Sequence, residues 1–295
     1  MKLGYVTINR SIGCTANSNF RLASYSEEKL KNTVHSNLDC LLKILKFNIK
    51  HDIFFFRISS NTVPFASHPI CKFNWADYFK SQFKEIGEFI KENDIRISMH
   101  PDQFIVINSL RKAVVDKSIK DLIYHSNVLD TMGLDNTAKI QIHVGGVYNN
   151  KKEAVDRFCE IYKSLNQSIK NRLVIENDEK SYSLKDCLEI NENLGIPVVF
   201  DTLHHEYNNN QESQREAILK AKETWEDEDG LLMIDYSTQE VGEKKGKHTT
   251  SIDLTAFKKF LQDLKGVNFD IMLEIKDKEK SALKAVKLIK ELAYI

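Results

Sequence analysis

Apolar, β-branched runs alternate with longer helical patterns along the whole chain. The runs at Lys2–Ile8, Ile53–Ser59, Ile95–His100, Lys139–Val144, Arg172–Glu176, Pro197–Asp201, Leu231–Tyr236 and Phe269–Glu274 are nearly continuous in hydrophobicity. That pattern suits strands buried on both faces of a parallel sheet. Between them, helical periodicity predicts helices at Glu27–Lys50, Ala76–Asn93, Val114–Met132, Lys152–Ile169, Leu184–Leu194, Ser213–Trp225, Leu254–Leu264 and Glu279–Leu292. Asn74 and Ser183 stand where N-caps are expected, and Gly133 and Gly195 where helix C-termini want a left-handed residue. Eight βα units in order predict either a closed barrel or a doubly wound sheet. No linker, repeat array or low-complexity tract divides the 295 residues, so one domain over 1–295 is expected.

The places where polar residues end these strands carry the chemistry. His100, His143, Glu176, Asp201 with His204, Asp235 and Glu274 each stand at or just beyond the end of an apolar run. Parallel strands all point one way, so these side chains should converge on the carboxyl face, where active sites of such folds lie. Any one of them alone is more often a satisfied structural residue. Together, buried carboxylates and imidazoles at one rim need positive charge between them. Nitrogen and oxygen donors without a thiolate suit Mn²⁺ or Zn²⁺, with Mg²⁺ a further choice. Several carboxylates imply more than one ion, bridged by a carboxylate, as two-metal phosphodiester chemistry requires. The same donors would serve a sugar isomerase or epimerase. His248 follows Lys244, Lys245 and Lys247 in the loop after the seventh strand. It reads equally as an exposed loop histidine or as a ligand beside phosphate-contacting lysines. Glu179 and Lys180 read as a solvated face.

Charge narrows the partners little: 42 Lys and Arg balance 42 Asp and Glu. That gives no support for a bulk basic nucleic-acid binder; if DNA is the substrate, attraction must be local or come from bound cations. No apolar run approaches the roughly 20 residues that span a bilayer, and no secretory pattern opens the chain. A cytoplasmic protein is expected. The five cysteines are odd in number and never spaced as CxxC, which predicts reduced thiols.

Several motifs, in order, carry a family resemblance. PFASHP (Pro64–Pro69), SMHPDQF (Ser98–Phe104), IHVGGVY (Ile142–Tyr148), VIENDE (Val174–Glu179), DTLHH (Asp201–His205) and LEIKDKE (Leu273–Glu279) resemble the motif series of UV damage endonucleases. LGY (Leu3–Tyr5), Asn9 and FRLA (Phe20–Ala23) extend the match to the N-terminus. The resemblance implies a (β/α)₈ TIM barrel related to endonuclease IV and the xylose isomerase-like barrels. It implies a DNA repair endonuclease, monomeric, that nicks damaged double-stranded DNA immediately 5′ of cyclobutane dimers and 6-4 photoproducts, and at abasic sites. Two or three metal ions, commonly Mn²⁺, are implied, held by His100, His143, Glu176, Asp201, His204, His248 and Glu274. His68 and Tyr5 should act beside Glu176 near the scissile phosphate, with Asn9 close by. Gln103 and Phe104 occupy the place of a probing dipeptide that enters the duplex at the lesion; the family usually has Tyr where Phe104 stands. Met233 and Asp235 depart further, standing where the family has a Lys, carboxylated in some members, and a metal-binding His. Asp235 can still serve as a ligand, whereas Met233 cannot replace a lysine carbamate. A lesion-binding protein without catalysis is therefore a further alternative.

Overall fold

A computed structural model describes residues 1–292; the last three residues of the predicted domain, 293–295, lie outside them. Eight strands form at the eight predicted places: β1 (Leu3–Val6), β2 (Phe55–Ile58), β3 (Arg96–Met99), β4 (Lys139–His143), β5 (Leu173–Glu176), β6 (Val198–Asp201), β7 (Met233–Tyr236) and β8 (Asp270–Leu273). They pair in parallel in chain order and close, β8 lying beside β1 with Leu3 opposite Ile271. The closed barrel resolves the choice left open by the strand pattern against a doubly wound sheet.

Alternate side chains of a strand point to opposite faces, and each strand of this barrel uses that alternation in the same way. One phase packs outward into the large core beneath the helices. The other fills the lumen, where Phe55, Val174, Val199, Met233 and Met272 form a separate buried apolar cluster. Two residues further along the same five strands come Arg57, Glu176, Asp201, Asp235 and Glu274. Four potential ligands, Glu176, Asp201, Asp235 and Glu274, are thus each the next lumen-facing residue above an apolar plug, as is Arg57 on β2. The opposite end of the barrel is closed by buried ion pairs, Arg96 with Asp270 at 2.8 Å and Lys139 with Asp229.

The outer layer comprises α1 (Glu27–Lys50), α2 (Trp75–Tyr78), α3 (Lys80–Glu92), α4 (Lys112–Thr131), α5 (Lys151–Ser164), α6 (Gln167–Lys170), α7 (Leu184–Leu194), α8 (Thr202–Tyr207), α9 (Gln214–Lys222), α10 (Leu254–Asp263) and α11 (Glu279–Glu291). Asn74 caps α2 by accepting from Asp77 N, and Ser183 forms a reciprocal capping box with Asp186. Gly195 closes α7 at φ 68°, a left-handed conformation that costs glycine little. Two predicted helices are broken: Ala76–Asn93 becomes α2 and α3, and Lys152–Ile169 becomes α5 and α6. No helix among the described residues is long and apolar enough to cross a membrane.

The cysteine expectation is corrected. Cys14 and Cys40 form a disulfide with Cα atoms 5.9 Å apart, while Cys71, Cys159 and Cys187 are free. The segment after β1 folds back over α1, a tertiary contact that cysteine parity and spacing do not reveal, and brings the two Cα atoms into disulfide range.

Candidate metal centre at the carboxyl rim

Glu176 ends β5 with its side chain 1% exposed in the middle of the rim. Asn177 binds β5 to the end of β6, accepting from Asp201 N at 2.9 Å and donating to Asp201 O at 3.1 Å. Asp178 then accepts from the backbone of Lys180, Ser181 and Tyr182, which turns the chain away. Asp201 ends β6 and caps α8 at once: Oδ1 accepts from His204 N at 2.6 Å. The first turn of that helix carries His204 back over Glu176, its Nδ1 lying 3.1 Å from Oε1. On the other side, His100 Nε2 lies 3.2 Å and His143 Nε2 3.8 Å from Glu176 Oε2. The two oxygens of one carboxylate therefore face two different sets of donors.

Three groups of side chains bring ligand atoms within 4.8 Å of one another: His100, His143 and Glu176; Glu176, Asp201 and His204; Asp201, Asp235 and Glu274. Their chemistry fits divalent cations. His100 Nδ1 lies 2.9 Å from the Pro101 carbonyl, which can take only a donated proton. This leaves Nε2 to face the Glu176 carboxylate, and such a pair needs a proton or a cation between them. Asp201 Oδ2, His143 Nδ1 and His248 Nδ1 are buried with no hydrogen-bond partner among the described residues, an arrangement that natural interiors normally avoid.

The electrostatics agree. Burial alone would raise the Glu176 carboxyl, yet His143, His100 and His204 hold it well below the ordinary carboxylate value. Burial alone would lower His204, yet Asp201 and Glu176 push it up to about 11. Burial lowers His143 and carries the Asp201 carboxyl well above its usual range. The rim thus gathers carboxylates and imidazoles whose charges act strongly on one another, a donor set that could hold divalent cations.

The remaining expected residues fall into two sets. His248 lies on a short hairpin, paired with Gln239, with Nε2 3.5 Å from Glu274 Oε2. Lys244, Lys245 and Lys247 are exposed on that hairpin, Lys245 over the ring of Tyr207 and Lys247 paired with Glu243. His68 is exposed, its Nδ1 accepting from Ile70 N at 3.1 Å, which leaves Nε2 outward. Gln103 and Phe104 form an exposed tip beyond His100, with Phe104 73% accessible. Tyr5 and Asn9 differ from the expectation. Tyr5 lies in the outward phase of β1 and is fully buried; its hydroxyl donates to Asn48 at 2.7 Å and accepts from Asn9 at 2.9 Å. Asn9 is buried too and accepts from Ser11 N at 2.8 Å. The pair orders the loop after β1, and both side chains are buried. Glu179, expected on a solvated face, lies 3.8 Å from His204 Nε2 instead.

Sequence reasoning missed Arg57 and Gln141. Arg57 donates to both Asp235 oxygens and, in a shorter contact, to Glu274. Gln141 accepts from Arg57 at 2.9 Å and donates to both Glu176 and Asp235. Both were visible as polar residues inside apolar runs, FFRI and KIQIH, in the same strand phase as the ligands.

The model of the UV-endonuclease UvdE family matches residues 1–295. The chain belongs to that family. A UV DNA damage endonuclease of Clostridium perfringens is 43% identical over 99% of this chain and 71% of its own length. The crystal structure of SacUVDE superposes with a TM-score of 0.96 at 52% identity, covering 100% of both chains. Endonuclease IV of Thermus thermophilus, 13% identical with a TM-score of 0.56 over 86% of this chain and 95% of its own, shares the fold alone. The (β/α)₈ barrel of this chain is the TIM barrel seen in SacUVDE, and endonuclease IV has the same fold.

Proposed function

We propose that this chain is a metal-dependent DNA repair endonuclease that nicks damaged duplex immediately 5′ of cyclobutane dimers and 6-4 photoproducts, and at abasic sites. It leaves a 3′-hydroxyl and a 5′-phosphate and acts as a monomer. The observation that carries the reading is the convergence of His100, His143, Asp201 and His204 on the two oxygens of Glu176, in a chain of the UvdE family. Glu176 would serve two cation positions, one with His100 and His143, the other with Asp201 and His204. His248 and Glu274 extend the second position toward the lysine hairpin. We assign Mn²⁺, with Zn²⁺ and Mg²⁺ as the alternatives, because every donor is nitrogen or oxygen. Divalent ions held by these residues would supply an activated water and charge neutralisation for phosphodiester cleavage.

The chain's own residues bring DNA to that rim. Lys244, Lys245 and Lys247 give an otherwise neutral protein a local positive edge for the phosphate backbone. His68 offers an outward Nε2 for a backbone phosphate. Gln103 and Phe104 project past His100 and fill the stack that a flipped lesion vacates. A plasmid assay tests the reading. Manganese-loaded protein should convert UV-irradiated supercoiled plasmid to the open circle and leave unirradiated plasmid intact. Equal nicking of both plasmids would refute damage recognition, and lesion binding without nicking would favour the non-catalytic alternative.

A further inference from the structure

The lumen holds a cation of its own. Arg57 is 3% exposed, on β2 directly above the apolar plug. Its Nη2 lies 2.7 and 2.9 Å from the two oxygens of Asp235 and 2.9 Å from Gln141 Oε1, and its Nη1 donates to Glu274 Oε1. Gln141 Nε2 in turn donates to Asp235 Oδ2 and Glu176 Oε2. The third potential metal cluster, Asp201, Asp235 and Glu274, therefore has a guanidinium seated between two of its three carboxylates.

We infer that Arg57 is the resident cation of this third cluster, with Asp235 its counter-ion and not a metal ligand, so that the chain holds two metal ions and not three. Arg57 is then a positioning residue: it turns Glu274 and, through Gln141, Glu176 toward the two remaining cation positions. The inference rests on the metal-dependent reading above.

Three physical points support it. Both Asp235 oxygens already accept from Arg57, and one also from Gln141, so a metal bonded to either would press against buried positive charge. A guanidinium does not lose its proton at working pH, so the position is not vacated by titration. Glu274 meanwhile keeps Oε2 toward His248, and Asp201 keeps Oδ2 unpartnered, so both stay available to the second ion. Four lumen carboxylates, Glu176, Asp201, Asp235 and Glu274, then face one guanidinium and two divalent ions. That leaves a single excess positive charge for a phosphate, where a third ion would leave three.

Counting ions tests this directly. Full-length protein is stripped, reloaded with Mn²⁺ alone, freed of excess ion and analysed for manganese per chain. Wild type should hold two ions. Asp235→Asn should also hold two, because the amide oxygen still accepts from Arg57. Arg57→Gln should gain a third ion, because Asp235 and the Glu274 oxygen that faced Arg57 then have no cation between them. Arg57→Lys, which keeps the charge, should restore two and guards against a folding defect in the glutamine variant. Arg57→Gln should also lower kcat by about 10- to 100-fold, the usual effect of losing a partner of metal ligands, with KM for DNA little changed. Three ions in wild type, or one ion lost in Asp235→Asn, would overturn the inference and leave the metal-dependent reading standing. Two ions in Arg57→Gln would overturn it as well. No ion in wild type would refute the metal-dependent reading itself.

Discussion

Replacing Phe104 by alanine separates damage recognition from chemistry. The side chain is 73% accessible in the free protein, and its turn is held by backbone contacts to Asp102. Removing the ring therefore costs folding little, within about 0.5 kcal/mol as for an ordinary surface change. In a duplex the exposed three quarters of the ring can be buried, about 150 Å² of the roughly 200 Å² that an aromatic side chain covers. At about 25 cal/mol per Å² this caps its contribution near 4 kcal/mol. Base–aromatic stacking contributes about 1–3 kcal/mol by alanine substitution, which corresponds to about 5- to 150-fold in affinity. Phe104→Ala should therefore bind a duplex with one cyclobutane dimer 5- to 150-fold more weakly, while manganese content and melting temperature stay at wild-type values. Phe104→Tyr should be nearly neutral. Fluorescence anisotropy on damaged and undamaged duplexes of one sequence reads both effects. Equal affinity of wild type and Phe104→Ala for the damaged duplex would refute the reasoning.

Glu176→Ala should remove both cation positions together, so nicking should fall more than the 10- to 100-fold that outer partners alone produce; full manganese occupancy with near-normal turnover would contradict the bridging role. His204, pushed up to about 11 by Asp201 and Glu176, is protonated in metal-free protein at neutral pH. Its contribution to metal-free stability is complete below the unfolded value of 6.5 and is lost as pH rises through about 11. Manganese must displace that proton, so affinity should rise with pH and calorimetry in two buffers should show proton release; heats independent of buffer would count against His204 as a ligand. Gly87→Ala would place a Cβ 1.8 Å from the Met132 carbonyl oxygen, where α3 packs on the end of α4. Overpacking of this kind costs about 1–3 kcal/mol, more than the roughly 1 kcal/mol gained in helix propensity, so the denaturant midpoint should fall with manganese content unchanged.

The eight strands were legible because each is buried on both faces, and six of them, β3 to β8, lead directly to a potential ligand. Closure into a barrel was implied by the family resemblance, because the strand pattern suits a doubly wound sheet equally. The predicted runs Arg172–Glu176 and Lys139–Val144 agree with β5 and β4 at their C-terminal ends to within a residue. The two broken helices were not legible: α2 ends at Tyr78 and Phe79 alone separates it from α3, while Leu165 and Asn166 adopt extended backbone after α5. Nor was α8, six residues inside DTLHHEY, because one turn and a half has no period to detect. Yet that turn is what lifts His204 over Glu176. Arg57 was overlooked because a lone arginine in an apolar run gives no sign of its partners, which come from three other strands. Tyr5 was named from the family resemblance alone, which carries no strand parity; parity aims its side chain at Asn48 on α1, away from the lumen.

The most direct test of the account uses an end-labelled duplex containing a single cyclobutane dimer. Metal-stripped protein, and the same protein reloaded with Mn²⁺, are incubated with it under single-turnover conditions, and the products are mapped to the nucleotide. The account predicts no cleavage without metal and, with manganese, one product ending in a 3′-hydroxyl immediately 5′ of the dimer. Cleavage at that position by the metal-free protein, or none by the reloaded protein despite full manganese occupancy and tight binding, would contradict it.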